Sequence, residues 1–129
     1  MPWEPIAITS KEAVDVEGDA VRVVWSLSRR PTSDWAREFR SAAVQRFGSP
    51  DFVNMPSPDI RTGGAVHWTV PAADLRGAVQ YVKACVDAAN EGYRLVLVRR
   101  EEERRRRAEE EQAKALRLQA AQQALNALD

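Results

Sequence analysis

Between Val21 and Ser28 the chain alternates. Val21, Val23, Trp25 and Leu27 fall on one phase, and Arg22, Val24, Ser26 and Ser28 on the other. A period of two is what a pleated strand with one buried face requires, so residues 20–28 are predicted as a strand. Upstream, Ile6, Ile8, Val14 and Val16 are rich enough in β-branched residues for one long or interrupted strand. Glu17-Gly18-Asp19 then supplies the turn of a hairpin. Past Arg29-Arg30-Pro31 the period changes. Thr32 or Ser33 is the expected N-cap, and Asp34 suits the positive end of the helix dipole. Trp35, Phe39, Ala42, Ala43 and Phe47 share one helical face, closed by Gly48 and Pro50.

A faint strand signal lies around Phe52 to Asn54. A firmer alternation follows, with Val66, Trp68 and Val70 interleaved with Ala65, His67 and Thr69. Pro71 suits a helix start, where its missing N–H costs nothing. The helix beyond it carries the most regular spacing in the chain: Leu75, Val79, Val82, Val86, Ala89, Tyr93 and Val96 step alternately by four and three. Such a seam packs along a neighbouring helix or sheet. Asn90-Glu91-Gly92 offers an alternative stop, with Tyr93 to Val98 as a fifth strand. Because the seam passes Gly92 without a phase slip, a continuous helix is the expectation.

The resulting fold is α+β: an antiparallel sheet of about four strands in ββαββα order, packed on two helices, the last extended into a long charged C-terminal arm. The two halves read alike. Trp25, Asp34 and Phe39 in the first correspond to Trp68, Asp74 and Val79 in the second, with offsets of 43 at Trp and 40 at Asp. An internal duplication gives this pattern; so do any two strand-to-helix junctions.

Composition sharpens the domain picture. Of 129 residues, 44% are hydrophobic and 29% charged, which suits one small folded domain plus an appendage and disfavours wholesale disorder. Beyond Arg99 there is no aromatic, Pro or Gly, so residues 1–98 are read as the α+β domain, in two ββα halves, and 99–129 as a charged helical extension. The formal net charge of zero removes the basic excess that phosphate binding draws on. One Cys and one His exclude a disulfide framework or a Cys/His zinc site within one chain. The chain start shows no secretory pattern and no run approaches the ~18 apolar residues of a membrane span. A cytoplasmic protein with no membrane partner is the expectation, and Cys85 fits a reducing compartment.

Candidate chemistry is sparse. Gly63-Gly64 lacks the Lys-Ser/Thr of a phosphate loop. Cys85 beside the Val82/Val86 stripe reads as a buried thiol, and His67 points away from the Trp face. Asp15, Glu17 and Asp19 read as a solvated turn rather than a cation loop. Asp34 and Asp74 read as helix-start carboxylates. Trp25, Trp35 and Trp68 are assigned to the core, whereas Trp3 is a candidate contact residue. The opposite sheet face (Arg22, Val24, Ser26, His67, Thr69) has none of the aromatics that stack RNA bases. No catalytic residue, metal or cofactor is expected.

The tail carries what remains. Glu101–Arg105, Glu102–Arg106 and Glu103–Arg107 have the favourable acid-first spacing, and the upstream seam extended gives Arg100, Glu103, Arg107 and Glu110, all charged. Leu118, Ala121, Leu125 and Leu128 then resume a 3-4-3 spacing, joined by Leu116 and Ala124. The expected function is a non-enzymatic protein-interaction module, such as a small accessory or phage-type modulator of a cellular protein. It would homodimerise, coiled-coil fashion, through Tyr93, Val96, Leu97, Leu116, Leu118, Ala121, Leu125 and Leu128. The alternative is nucleic-acid binding through Arg104, Arg105, Arg106 and Arg107, disfavoured by the glutamates on either side.

Overall fold

Gly18, with φ +60°, opens the two-residue turn that joins the first two strands, a backbone conformation that glycine adopts without steric cost. These strands are β1 (Ile8–Glu17) and β2 (Ala20–Leu27), paired antiparallel. A computed structural model describes residues 3–45, 58–61 and 63–128 of the chain. Helix α1 (Ser33–Gln45) follows, then β3 (Asp59–Ile60), β4 (Val66–Pro71), a single 3₁₀ turn (Ala72–Asp74) and α2 (Leu75–Asn126). The four strands form one antiparallel sheet in the order β1-β2-β4-β3.

The α+β reading and the ββαββα order are therefore correct, with two boundaries moved. The strand signal near Phe52, the helix stop at Gly48 and Pro50, and Phe47 all lie outside the described residues; the short third strand is Asp59–Ile60. Pro71 ends β4 and precedes the 3₁₀ turn, so α2 itself begins at Leu75 directly after Asp74. The interrupted first strand is continuous but bulged, its register slipping between Ile8 and Ser10 and between Ala13 and Asp15.

The core lies on one face of the sheet. Val21, Val23 and Trp25 from β2 and Val66, Trp68 and Val70 from β4 are buried, while Arg22 and Thr69 between them are exposed. Trp35, Phe39, Ala42 and Ala43 of α1 and Ala78, Tyr81, Val82, Cys85, Val86, Ala89 and Tyr93 of α2 complete it. Trp35 stacks on Phe39 with ring centroids 5.8 Å apart, and Trp68 tilts against Tyr81 at 5.1 Å. Full burial of side chains this large contributes about 2–3 kcal/mol each. The α1 start is capped by Thr32, whose Oγ1 accepts from Trp35 N–H at 3.2 Å.

In the centre of the sheet, Val24 pairs with His67. Those positions differ by 43, the same offset that separates Trp25 from Trp68. This register sets the two hairpins edge to edge about the Val24–His67 pair.

Two features of α2 explain its passage through Asn90-Glu91-Gly92, with Tyr93 to Val98 helical rather than a fifth strand. The Asn90 side chain is engaged at both ends: its Oδ1 accepts from Ile6 N–H and from Trp35 Nε1–H, both at 2.9 Å, and its Nδ2 donates to the Ile6 carbonyl at 2.8 Å. Gly92 lies under Glu38 of α1, such that a Cβ there would sit 2.5 Å from Glu38 Oε2. Buried residues end at Tyr93, whose ring meets Trp3 edge-on at 5.0 Å. The chain divides into two compact units, Met1–Tyr93 and Arg94–Asp129.

Replacing Asn90 by Ala removes three hydrogen bonds and strands their half-buried partners, so Asn90→Ala is expected to lower stability by about 3 kcal/mol in denaturant titration. Gly92→Ala acts in the opposite sense. The obstructing atoms are the movable end of Glu38, and the gain in helix propensity is up to ~1 kcal/mol, so the unfolding midpoint should rise.

Candidate functional site

Ala, Glu, Gln, Arg and Leu dominate residues 94–126, and their propensities favour helix without help from packing. This half of α2 contains no buried residue. Of the residues assigned to partner contact, Leu116, Leu118, Leu125 and Leu128 are 60%, 70%, 61% and 73% exposed, and Ala121 is exposed with them. Val96 and Leu97 are half-buried. Tyr93 is buried, its ring meeting Trp3 edge-on. The same contact gives Trp3 a role within its own unit. Leu95 and Val98, at 41% and 43%, are further exposed apolar positions that the stripe at seven-residue spacing leaves out.

The arginine block behaves differently from its expected pairing. Arg104 forms a fork on Glu101, with Nε to Oε2 at 3.0 Å and Nη2 to Oε1 at 2.6 Å, three residues apart rather than four. Both spacings are neighbours on a helix surface, and the fork satisfies both carboxylate oxygens at once. That hydrogen bond holds the Glu101 carboxyl below its ordinary range; desolvation opposes it, and the nearby Arg104 and Arg105 charges add to the lowering. Arg105, Arg106 and Arg107 make no ion pair among the described residues.

The isolated polar candidates of the first unit are placed as follows. Cys85 is a buried free thiol. His67 lies on the sheet face away from the helices; its Nδ1 is 3.2 Å from Arg22 Nη2, and burial, then the Arg22 and Arg61 charges, push its pKa down. Asp15 is turned to its own strand, accepting from Val16 N–H at 2.9 Å. Asp34 lies 3.9 Å from Arg37. Among the described residues no group of three or more His, Cys, Asp or Glu side chains is placed to hold a metal ion. No helix among them is long and apolar enough to cross a membrane.

Periodicity alone did not single out two sites. Tyr81 donates its buried hydroxyl to the Ala43 carbonyl at 2.6 Å. That carbonyl lies in the last turn of α1, where carbonyls lack helical partners. The second is a cleft of about 480 Å³ between the segment leading into β1 and the first turns of α2, with Trp25 on its wall and Lys11 and Lys83 on its lining.

Comparison with protein-family models, with curated proteins and with solved structures finds no match for this chain.

Burial raises the Tyr81 pKa to about 12, with Cys85 adding to the shift. An acid whose pKa is higher folded than unfolded contributes stability that is complete below its unfolded value of 10.0 and is lost as pH rises through the folded one. Denaturation midpoints should therefore fall between about pH 10 and 12 in the native chain. In Tyr81→Phe, already weaker at neutral pH by about 1–2 kcal/mol, that fall should be smaller.

Proposed function

We propose that this chain is a non-enzymatic interaction module that pairs with a second copy of itself through the C-terminal half of α2. The observation that carries this reading is the set of four leucines, Leu116, Leu118, Leu125 and Leu128, each 60–73% exposed on a helix that packs on nothing in its own unit. Helices in water draw most of their stability from burying an apolar face. A segment of more than thirty residues with no such burial in its own unit gains that stabilisation from a partner. Leu118, Ala121, Leu125 and Leu128 follow the 3-4-3 spacing that a helical partner covers, with Leu116 beside them.

Nucleic-acid binding by Arg104–Arg107 is the weaker reading. The fork between Arg104 and Glu101 engages one of the four guanidinium groups with a carboxylate, and the glutamates at 101–103 and 109–111 oppose phosphate approach on both sides.

Sedimentation equilibrium of the full chain should give a dimer in reversible exchange with monomer. The double variant Leu118→Glu, Leu125→Glu should shift the dissociation constant upward at least a hundredfold with the far-ultraviolet signal of the first unit retained. A dimer indifferent to those substitutions removes the leucines from the interface. Association of the native chain with DNA or RNA that weakens steeply with added salt would favour the arginine reading instead.

A further inference from the structure

The cleft in the first unit has a composition that the fold alone does not explain. Its floor is apolar, with Trp25 of β2 and Val79 and Val86 of α2 among the lining residues. Lys11 and Lys83 stand on it from two sides, with Asp87 one helical turn beyond Lys83. Lys11 lies directly across from Trp25 in the β1–β2 ladder, so both side chains project from the same face of the sheet. The whole chain has only three lysines, the other nineteen minus three cations being arginines, and two of the three line this one cleft. Neither lysine has an ion-pair or hydrogen-bond partner among the described residues.

A second observation is independent of charge. Trp25 is 1% exposed, and its indole Nε1–H is the one buried side-chain polar group with no hydrogen-bond partner among the described residues. Buried donors are almost always satisfied, and this one belongs to a side chain that lines the cleft. The cleft's own amide does not satisfy it, because the oxygen of Asn90 already accepts from Ile6 and Trp35.

We propose that this cleft binds a small amphipathic monocarboxylate, its apolar body against the cleft's apolar lining and its carboxylate held between Lys11 and Lys83. The chemistry selects each part. Two ammonium groups against the single Asp87 carboxylate leave one net positive charge, which a monoanion matches. A carboxylate has two oxygens and accepts several hydrogen bonds, so it serves two lysines at once. An apolar floor with few polar groups is the usual make-up of small-ligand sites, and this volume lies within their common range of roughly 300–1,000 Å³. The site belongs wholly to the first unit, so it stands apart from the leucine stripe of the second.

The test uses the full-length protein with sodium decanoate below its aggregation concentration, and decanol as the uncharged control, followed by calorimetry and by the indole N–H resonances in heteronuclear NMR. Trp25→Phe, checked for folding, assigns the Trp25 resonance; if that variant does not fold, the resonance is assigned from the native spectrum through its neighbours in β2. Decanoate should bind with one site per chain, move the Trp25 resonance more than those of Trp35 and Trp68, and bind at least tenfold more tightly than decanol. Lys11→Met and Lys83→Met should each weaken decanoate by tenfold or more with decanol unaffected, and Lys83→Arg should retain most of the affinity. Failure of decanoate to shift the Trp25 resonance at millimolar concentration overturns the proposal, as does equal binding of decanol. Dissociation of the dimer by Lys11→Glu or Lys83→Glu overturns it as well, since the cleft is then covered by a second copy.

Discussion

The side chain of Asn90 ties together parts of the chain that are 84 and 55 residues away from it. One carboxamide meets both backbone groups of Ile6 and the indole of Trp35, so the segment leading into β1, the start of α1 and the middle of α2 converge on a single half-buried group. Apolar contacts are non-directional and would allow the two helices to slide on the sheet. Three hydrogen bonds of fixed geometry allow much less. They fix which turn of α2 faces Trp35, and from that follow the approach of Glu38 to Gly92, the seat of Tyr93 under Trp3 and the distance between the β1 segment and α2 that leaves the cleft open. Ile6, buried in the core, is held by its backbone at the same point, so apolar burial and polar satisfaction act on the same residue.

What periodicity exposes is one-sided burial, and this domain is one-sided throughout. The strands β2 and β4, the buried face of α1 and the seam of α2 were legible because each shows water on one side and protein on the other. Asn90 was not legible for the same reason. A polar residue beside a glycine near the end of an apolar run reads as a helix stop, and only the partners, 84 and 55 positions away, reveal it as a bridge. Tyr81 sits off the seven-residue seam, and its buried hydroxyl is explained only by the end of a different helix. The cleft is likewise assembled from Lys11, Trp25 and Lys83, which are distant in sequence. The one clue available beforehand was compositional: in a chain so rich in arginine, lysine is the exception, and its positions were open to question. Tyr93, a seam residue at the boundary of two units, takes its cover from Trp3.

The symmetry of the sheet bears on where a ligand site is able to form. Both central strands belong to second positions of their hairpins, and both are followed by helices on the same face. The outer strands differ: β3 has two residues and β1 has ten. Val16 on β1 is 64% exposed, and Trp25 on β2 lines the cleft. The equivalent tryptophan, Trp68, is closed off by Tyr81.

Pairing of the C-terminal helices, as proposed, faces a charge constraint that selects its direction. The heptad frame set by Leu118, Ala121, Leu125 and Leu128 runs back through Lys114, Glu111, Arg107 and Arg104. A parallel, in-register pair sets each of these four charged residues against its own copy, four layers of like charge. An antiparallel pair that keeps the leucines together is centred at Gln123, setting Leu118 against Leu128 and Ala121 against Leu125, and it takes all four charged residues out of opposition to their own copies. The apolar gain is modest, since full burial of a leucine is worth about 1.5–3 kcal/mol and these begin partly covered. Association itself costs roughly 4–15 kcal/mol in lost freedom. The two quantities are of the same order, so a pair held by this stripe forms and separates with concentration rather than standing as a permanent assembly.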